Sequence, residues 1–195
     1  MRRAGFPLVV VLAGLGCTDR HAAPISSSRF EAVKAPAGTS SHWCDTSFAG
    51  TAPRLTLPPL AAPSSGPTSL PKGKRVWLNL WATWCKPCLR ELPLLLEWQS
   101  DLRKDGVDVE PVFLSLDEDG DALAKFLAER KDIPVAHVAR VASQHDYEQW
   151  AKSYLKDPTT PIPIHLLASS DGYVRCIRSG SLREGDYPAA KAALR

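Results

Sequence analysis

The chain has 195 residues, 44% of them hydrophobic, which is enough to bury the core of one modest domain. Its formal charge is +3, and its 24 basic residues fall to 22 once Arg2 and Arg3 of an N-terminal leader are set aside, against 21 acidic residues. So even a balance gives no electrostatic footing for nucleic acid, and pairs such as Arg103-Lys104 and Arg130-Lys131 read as solvated helix ends, where cations are favoured.

Residues 1–17 have the three parts of an export signal: Arg2-Arg3, an apolar stretch from Phe6 to Leu15, and small residues around Cys17. The apolar stretch is too short to span a membrane as a helix. Gly14-Leu15-Gly16-Cys17 resembles a bacterial lipobox, whose cysteine is lipidated and becomes the mature N-terminus. The ordinary alternative is a signal peptide cleaved a little further on, after Ala22 or Ala23. Residues 18–41 are rich in Ser, Ala, Pro and charge, with little apolar periodicity, and read as a flexible tether. Residues 42–195 then form the folded domain with an N-terminal extension.

Within that domain, Arg54 to Leu57 predicts a first strand and Pro58 to Pro71 a proline-rich loop. The run Val76-Trp77-Leu78-Asn79-Leu80-Trp81 predicts a buried strand that delivers Trp84-Cys85-Lys86-Pro87-Cys88 to a helix start. A thiol there feels the positive end of the helix dipole and unpaired backbone N–H groups, which favour its thiolate. Two intervening residues let the sulfurs bond, so the pair can cycle between dithiol and disulfide. Cys85, nearest the helix N-terminus, is expected to attack; Cys88, a turn further in, is expected to resolve the mixed disulfide. Pro87 suits a first helical turn, where its missing N–H leaves no bond unmade. A zinc site needs two more ligands at close spacing, and neither Cys44 nor Cys176 has a Cys or His directly beside it. No metal and no cofactor beyond the Cys85–Cys88 disulfide is therefore expected. Trp84 has two readings, a shield that contacts partners or a core residue. Glu91 also has two: three residues after Cys88 it shares that thiol's helical face and can shuttle its proton, or it is a surface residue paired with a base.

Further along, Pro93 is expected to kink or restart the helix, with Leu94 to Arg103 at helical spacing. Val107 to Leu116 predicts a buried strand. Asp117-Glu118-Asp119 fits a helix N-terminus ahead of Ala122 to Arg130 better than a calcium site. Ile133 to Val141 reads as strand, Tyr147 to Leu155 as helix, Ile164 to Ala168 as strand, and Tyr173 to Ile177 as its hairpin partner across Asp171-Gly172. Glu184 to Leu194 closes the chain as a helix. The predicted class is α/β, a mixed central sheet with helices on both faces. Pro163 is the candidate for a cis peptide bond, with Pro161 the alternative.

The segment from Asn79 to Pro93, centred on Trp84-Cys85-Lys86-Pro87-Cys88, resembles the active-site block of TlpA-like and ResA-like proteins, a branch of the thioredoxin fold. A second block, Ile162 to Gly172, is similar to that family's cis-proline loop, strand and hairpin turn. The likeness runs from about Ala52 to the C-terminus. It implies a thioredoxin-like fold and an extracytoplasmic thiol-disulfide oxidoreductase of the bacterial cell envelope, facing the periplasm; the lipobox-like segment adds the expectation of a lipid anchor on Cys17. The implied partners are cysteine-containing protein substrates and a membrane or periplasmic thiol redox partner. Trp84, Ile162 and Pro163 would then meet the substrate, with the Ile162 backbone offered to an incoming strand. The family carries small hydroxyl residues where Ile164 and His165 stand. Asn79 occupies the place of a buried acid in ordinary thioredoxins, so Glu91 would take over its proton handling.

Cys44 and Cys176 remain; in an oxidising compartment they are expected to form a structural disulfide, the alternative being two unrelated thiols. Two other function classes stay open. A metallochaperone on this fold favours Cys-x-x-x-Cys with a distal His, and a redox-inert binding module would have lost the thiols.

Overall fold

Val76, Leu78 and Leu80 alternate with Trp77, Asn79 and Trp81 along one strand, and all six are buried. That pattern belongs to a central strand covered on both faces. A computed structural model describes residues 43–62 and 66–195 of the chain. Its strands are β1 (Thr46–Ser47), β2 (Arg75–Trp81), β3 (Val109–Ser115), β4 (Val138–Arg140), β5 (Ile164–Ala168) and β6 (Val174–Ser179). They form one sheet in the order β1-β6-β5-β2-β3-β4. Strands β2, β3 and β4 run parallel, while β5 is antiparallel to both β2 and β6, and β1 is antiparallel to β6.

Among the described residues, four α-helices cover the sheet: α1 (Lys86–Lys104), α2 (Gly120–Glu129), α3 (Gln144–Ala151) and α4 (Tyr187–Ala193). On one face Trp77, Phe113 and Leu167 share a core with Leu92, Leu95, Trp98 and Leu102 of α1, Leu123 and Leu127 of α2, and Ala190 of α4. On the other, Val76, Leu78, Leu80, Leu114 and Leu166 meet Tyr147, Trp150 and Ala151 of α3. The expected class, a mixed sheet with helices on both faces, is the one observed. Burial of a full side chain such as Leu or Phe contributes about 1.5–3 kcal/mol, so the two cores, rather than helix propensity, hold these elements in place.

Several boundaries differ from the expectations. The helix carrying Pro93 does not restart: α1 is one element of 19 residues. Leu92 and Leu95 on either side are buried, and this packing outweighs the one backbone bond that proline forgoes. The first strand is β1, not Arg54 to Leu57, where Arg54 makes only an isolated bridge to Tyr173. Pro53, Pro58 and Pro59 supply no N–H around that stretch, which limits its ladder. Ile133 to Val141 is strand only from Val138 to Arg140, after a 3₁₀ turn at Val135–His137 that begins behind Pro134. Helix α3 starts and stops earlier than expected, because the Ser143 hydroxyl caps it by accepting from the Asp146 N–H. The last helix is preceded by a 3₁₀ turn at Glu184–Asp186. The leader with Cys17, the tether 18–41 and residues 63–65 of the proline-rich loop lie outside the described residues.

Candidate active site

Strand β2 ends at Trp81, and the chain enters α1 with Cys85 as its N-cap. The backbone N–H of Cys88 donates to Cys85 Sγ at 3.3 Å. This sulfur therefore sits at the positive end of a 19-residue helix and accepts one of its free N–H groups, the surroundings that favour a thiolate. Cys85 and Cys88 are joined by a disulfide with Cα atoms 5.3 Å apart. Cys85 keeps 4% exposure and Cys88 none. Of the two, only Cys85 retains any exposure.

The carbonyl oxygen of Ile162 lies 3.7 Å from Cys85 Sγ, and the Ile162–Pro163 peptide bond is cis. Pro161 thus does not supply the cis bond. Trp84 is 67% exposed, so it is not a core residue. Beside these groups runs a groove of about 590 Å³ whose lining includes Thr83, Trp84, Tyr147, Pro158, Pro161 and Ile162. Burial pushes the Tyr147 phenol up to about 12, so it stays neutral at ordinary pH.

Glu91 is 2% exposed, which removes the reading of a surface ion pair. Asn79 Nδ2 donates to its Oε1 at 3.0 Å, and the Leu182 N–H donates to its Oε2 at 2.9 Å. His165 Nε2 stands 3.5 Å from Oε1, longer than an ordinary hydrogen bond. This meeting depends on the sheet: Asn79 of β2 and His165 of β5 are directly opposed, while Glu91 comes from α1 above them. Two helical positions, Cys88 and Glu91, thus share one buried face behind the disulfide.

The loop before Cys85 has its own anchor. Asp117, 5% exposed and two residues beyond β3, accepts from the Thr83 N–H at 3.0 Å, from Thr83 Oγ1 at 2.6 Å and from Ser115 Oγ at 2.8 Å. Asp119 instead caps α2, accepting from the N–H groups of Asp121 and Ala122. The acidic run therefore splits its work between a helix start and the active-site loop. Sequence reasoning missed Asp117, the Leu182 backbone and the contact of His165 with Glu91. A lone His in the otherwise apolar strand Ile164–Ala168 was the available signal for the last of these.

Cys44 and Cys176 are joined by a disulfide, with Cα atoms 5.4 Å apart. It ties the segment leading into β1 to β6. Trp43 packs edge-on against Trp77 with ring centroids 6.3 Å apart, and the Arg178 guanidinium lies 5.0 Å over the Trp43 ring. Among the described residues no cluster of three or more His, Cys, Asp or Glu is placed to hold a metal ion.

The family model described as thioredoxin-like matches residues 73–174, which hold β2, the Cys85–Cys88 pair, the cis-proline loop and the start of the hairpin. The chain belongs to the thioredoxin-like family. A thiol-disulfide oxidoreductase ResA from Geobacillus kaustophilus is 32% identical to this thioredoxin-like chain over 115 residues, 59% of the chain and 60% of that protein. A thiol-disulfide oxidoreductase ResA from Bacillus cereus is 40% identical over 104 residues, 53% of each. The chain thus spans a little over half the length of these curated relatives. The thioredoxin domain of a thiol-disulfide oxidoreductase from Bacteroides vulgatus matches with a TM-score of 0.56 at 18% identity, over 77% of this chain and 99% of that domain. This last likeness is one of fold.

Proposed function

We propose that the protein is an extracytoplasmic thiol-disulfide oxidoreductase that reduces disulfides of cysteine-containing protein partners through Cys85 and Cys88. The observation that carries this reading is the placement of Cys85: N-cap of α1, accepting from the Cys88 N–H and 3.7 Å from the Ile162 carbonyl. In the reduced protein, the Cys85 thiolate attacks one sulfur of a partner disulfide. A Cys85–partner bond forms and the partner's other sulfur leaves as thiolate. Glu91 accepts the Cys88 proton, and the Cys88 sulfur attacks Cys85, forming the internal disulfide and releasing the second partner thiolate. Two electrons pass from the cysteine pair to the partner, whose thiolates take up protons from solvent and from Glu91. Trp84 and the groove beside it offer the partner an apolar contact, while Ile162 offers backbone beside the reacting sulfur. A membrane or periplasmic thiol partner returns two electrons for the next cycle.

The location rests on chemistry in the same chain. A Cys44–Cys176 bridge suits an oxidising compartment, and residues 1–17 carry an export-like leader ending at Cys17. Lipidation of Cys17 anchors the domain to the envelope membrane. No helix of the described residues is long and apolar enough to cross a membrane. The test is catalytic reduction of insulin disulfides by the reduced protein under a dithiol donor. Turnover is expected, as is recovery of the full-length protein in the membrane fraction. Metal binding to the reduced protein with no disulfide reduction would assign a metallochaperone instead, and a mature N-terminus beyond Cys17 would reject the anchor.

A further inference from the structure

Two donors fix Glu91, Asn79 Nδ2 and the Leu182 N–H. A third group faces it: His165 Nε2 lies 3.5 Å from Glu91 Oε1, both side chains are enclosed, and Nε2 has no hydrogen-bond partner among the described residues. What Nε2 carries is decided at the other ring nitrogen. Trp77 Nε1 lies 3.2 Å from His165 Nδ1, and an indole N–H can only donate. Asn79 Nδ2 lies 3.3 Å from the same nitrogen. The Asn79 amide has one sensible orientation, because its oxygen turned the other way would meet the Glu91 carboxylate. Nδ1 must therefore present a lone pair to both donors. A neutral imidazole with its lone pair on Nδ1 carries its hydrogen on Nε2, and that hydrogen faces Glu91.

We propose that His165 is a positioning residue for Glu91, its tautomer set by Trp77 so that Nε2–H faces the carboxylate serving Cys88. The inference rests on the proton-handling role given to Glu91 above. His165 touches no reacting atom; it acts on the carboxylate, holding its orientation in a buried site. Strand β2 brings only the uncharged Trp77 and Asn79 to this contact. From β6 comes Arg178, the cross-strand partner of His165, which donates to the Trp43 carbonyl at 3.0 Å and lies 3.6 Å from Asp186. Asp186 also accepts from the Arg183 N–H, and Asp45 accepts from the Ser179 N–H. These charges are engaged with one another or with backbone, and among the described residues His165 is the ionisable group turned to Glu91 besides the thiol it serves.

The first test is the imidazole ¹⁵N spectrum of the oxidised wild-type protein at pH 8, where an ordinary imidazole is neutral. The expected pattern for His165 is a protonated Nε2 and a bare Nδ1; a protonated Nδ1 would overturn the proposal. The second is the pH–rate profile of disulfide exchange in two variants. His165→Asn keeps an acceptor on the Trp77 side and lacks the Nε2 donor, whereas His165→Gln places an amide N–H near the position of Nε2. His165→Asn is expected to slow exchange roughly three- to tenfold and to move the profile midpoint, the effect of losing a polar group turned to the carboxylate. His165→Gln is expected to recover at least half of that shift. If Glu91→Gln moves the profile and His165→Asn does not, the inference about His165 fails alone. If Glu91→Gln leaves it unmoved, the role of Glu91 fails and this inference with it. The spectrum of the wild-type protein decides the matter even if a variant does not fold.

Discussion

Cys85 and Cys88 are three residues apart and differ in what they meet: one caps a helix beside the Ile162 carbonyl and keeps 4% exposure, the other has none. Opening their disulfide leaves the inner sulfur needing a proton in a place solvent does not reach. Glu91 is the carboxylate on that buried face, and Glu91→Gln is expected to keep the fold, since an amide oxygen still accepts from Asn79 or Leu182. The same change is expected to slow exchange by roughly tenfold or more, in line with the usual contribution of a positioned acid–base group, and to move its pH dependence. A pH–rate profile identical to wild type would sink this role. Much of the site was legible at this scale: the Cys-x-x-C spacing, the position of Glu91 on Cys88's helical face and the candidate cis proline all stand in local sequence. The partners of Glu91 were not, because Asn79, His165 and Leu182 reach it through strand register and chain return across sequence separations that no local pattern encodes.

At the scale of elements, α1 is held from both ends. Its first turn presents Cys85, and the loop leading there is fixed by Asp117, as Thr83 N–H and Oγ1 both donate to that carboxylate. Just beyond its last turn, Asp105 accepts from Lys191 Nζ at 2.7 Å and from the Tyr187 hydroxyl at 2.6 Å, which docks α4 against α1. The bond from Lys191, followed by that from Tyr187, holds the Asp105 carboxyl below its ordinary value. A folded-state value below the unfolded one means that this contribution to stability is fully present above the ordinary carboxyl value, near pH 4, and is lost as pH falls through the lower folded value. Amide protection of α4 is therefore expected to drop between about pH 4 and lower pH in wild type, and to show little of that change in Asp105→Asn. Equal acid sensitivity in both proteins would contradict the clamp. Sequence periodicity found the long elements, β2, β3 and α1, because buried runs and helical stripes are local signals. It misplaced β1 and β4, which are two and three residues long and owe their pairing to β6 and β3 rather than to any pattern of their own.

Across the whole molecule, the two disulfides have different work. The Cys44–Cys176 bridge links residues 132 apart and pins the β1 lead-in to β6, where Trp43 packs on Trp77. Closing so long a loop restricts the unfolded chain, and replacing both cysteines by serine is expected to lower stability by about 2–4 kcal/mol. Denaturant unfolding of Cys44→Ser/Cys176→Ser against wild type measures this, and disulfide exchange by the folded variant is expected to persist. Loss of exchange with stability unchanged would mean that the bridge, not the Cys85–Cys88 pair, takes part in the chemistry. That pairing of residues far apart in sequence was inferred from leftover cysteines, whereas the path that brings Cys44 to the sheet edge depends on β1, which local sequence did not reveal.

The division of labour between the two active-site sulfurs is the centre of this account, and trapping tests it most directly. Reduced Cys88→Ser and Cys85→Ser proteins are each mixed with a disulfide-bonded peptide and analysed by mass spectrometry without added reductant. Cys88→Ser is predicted to accumulate a mixed disulfide on Cys85, since the attack proceeds and no inner thiol resolves it, while Cys85→Ser forms none. A mixed disulfide on Cys88 in the Cys85→Ser protein, or full turnover by Cys88→Ser, would contradict it.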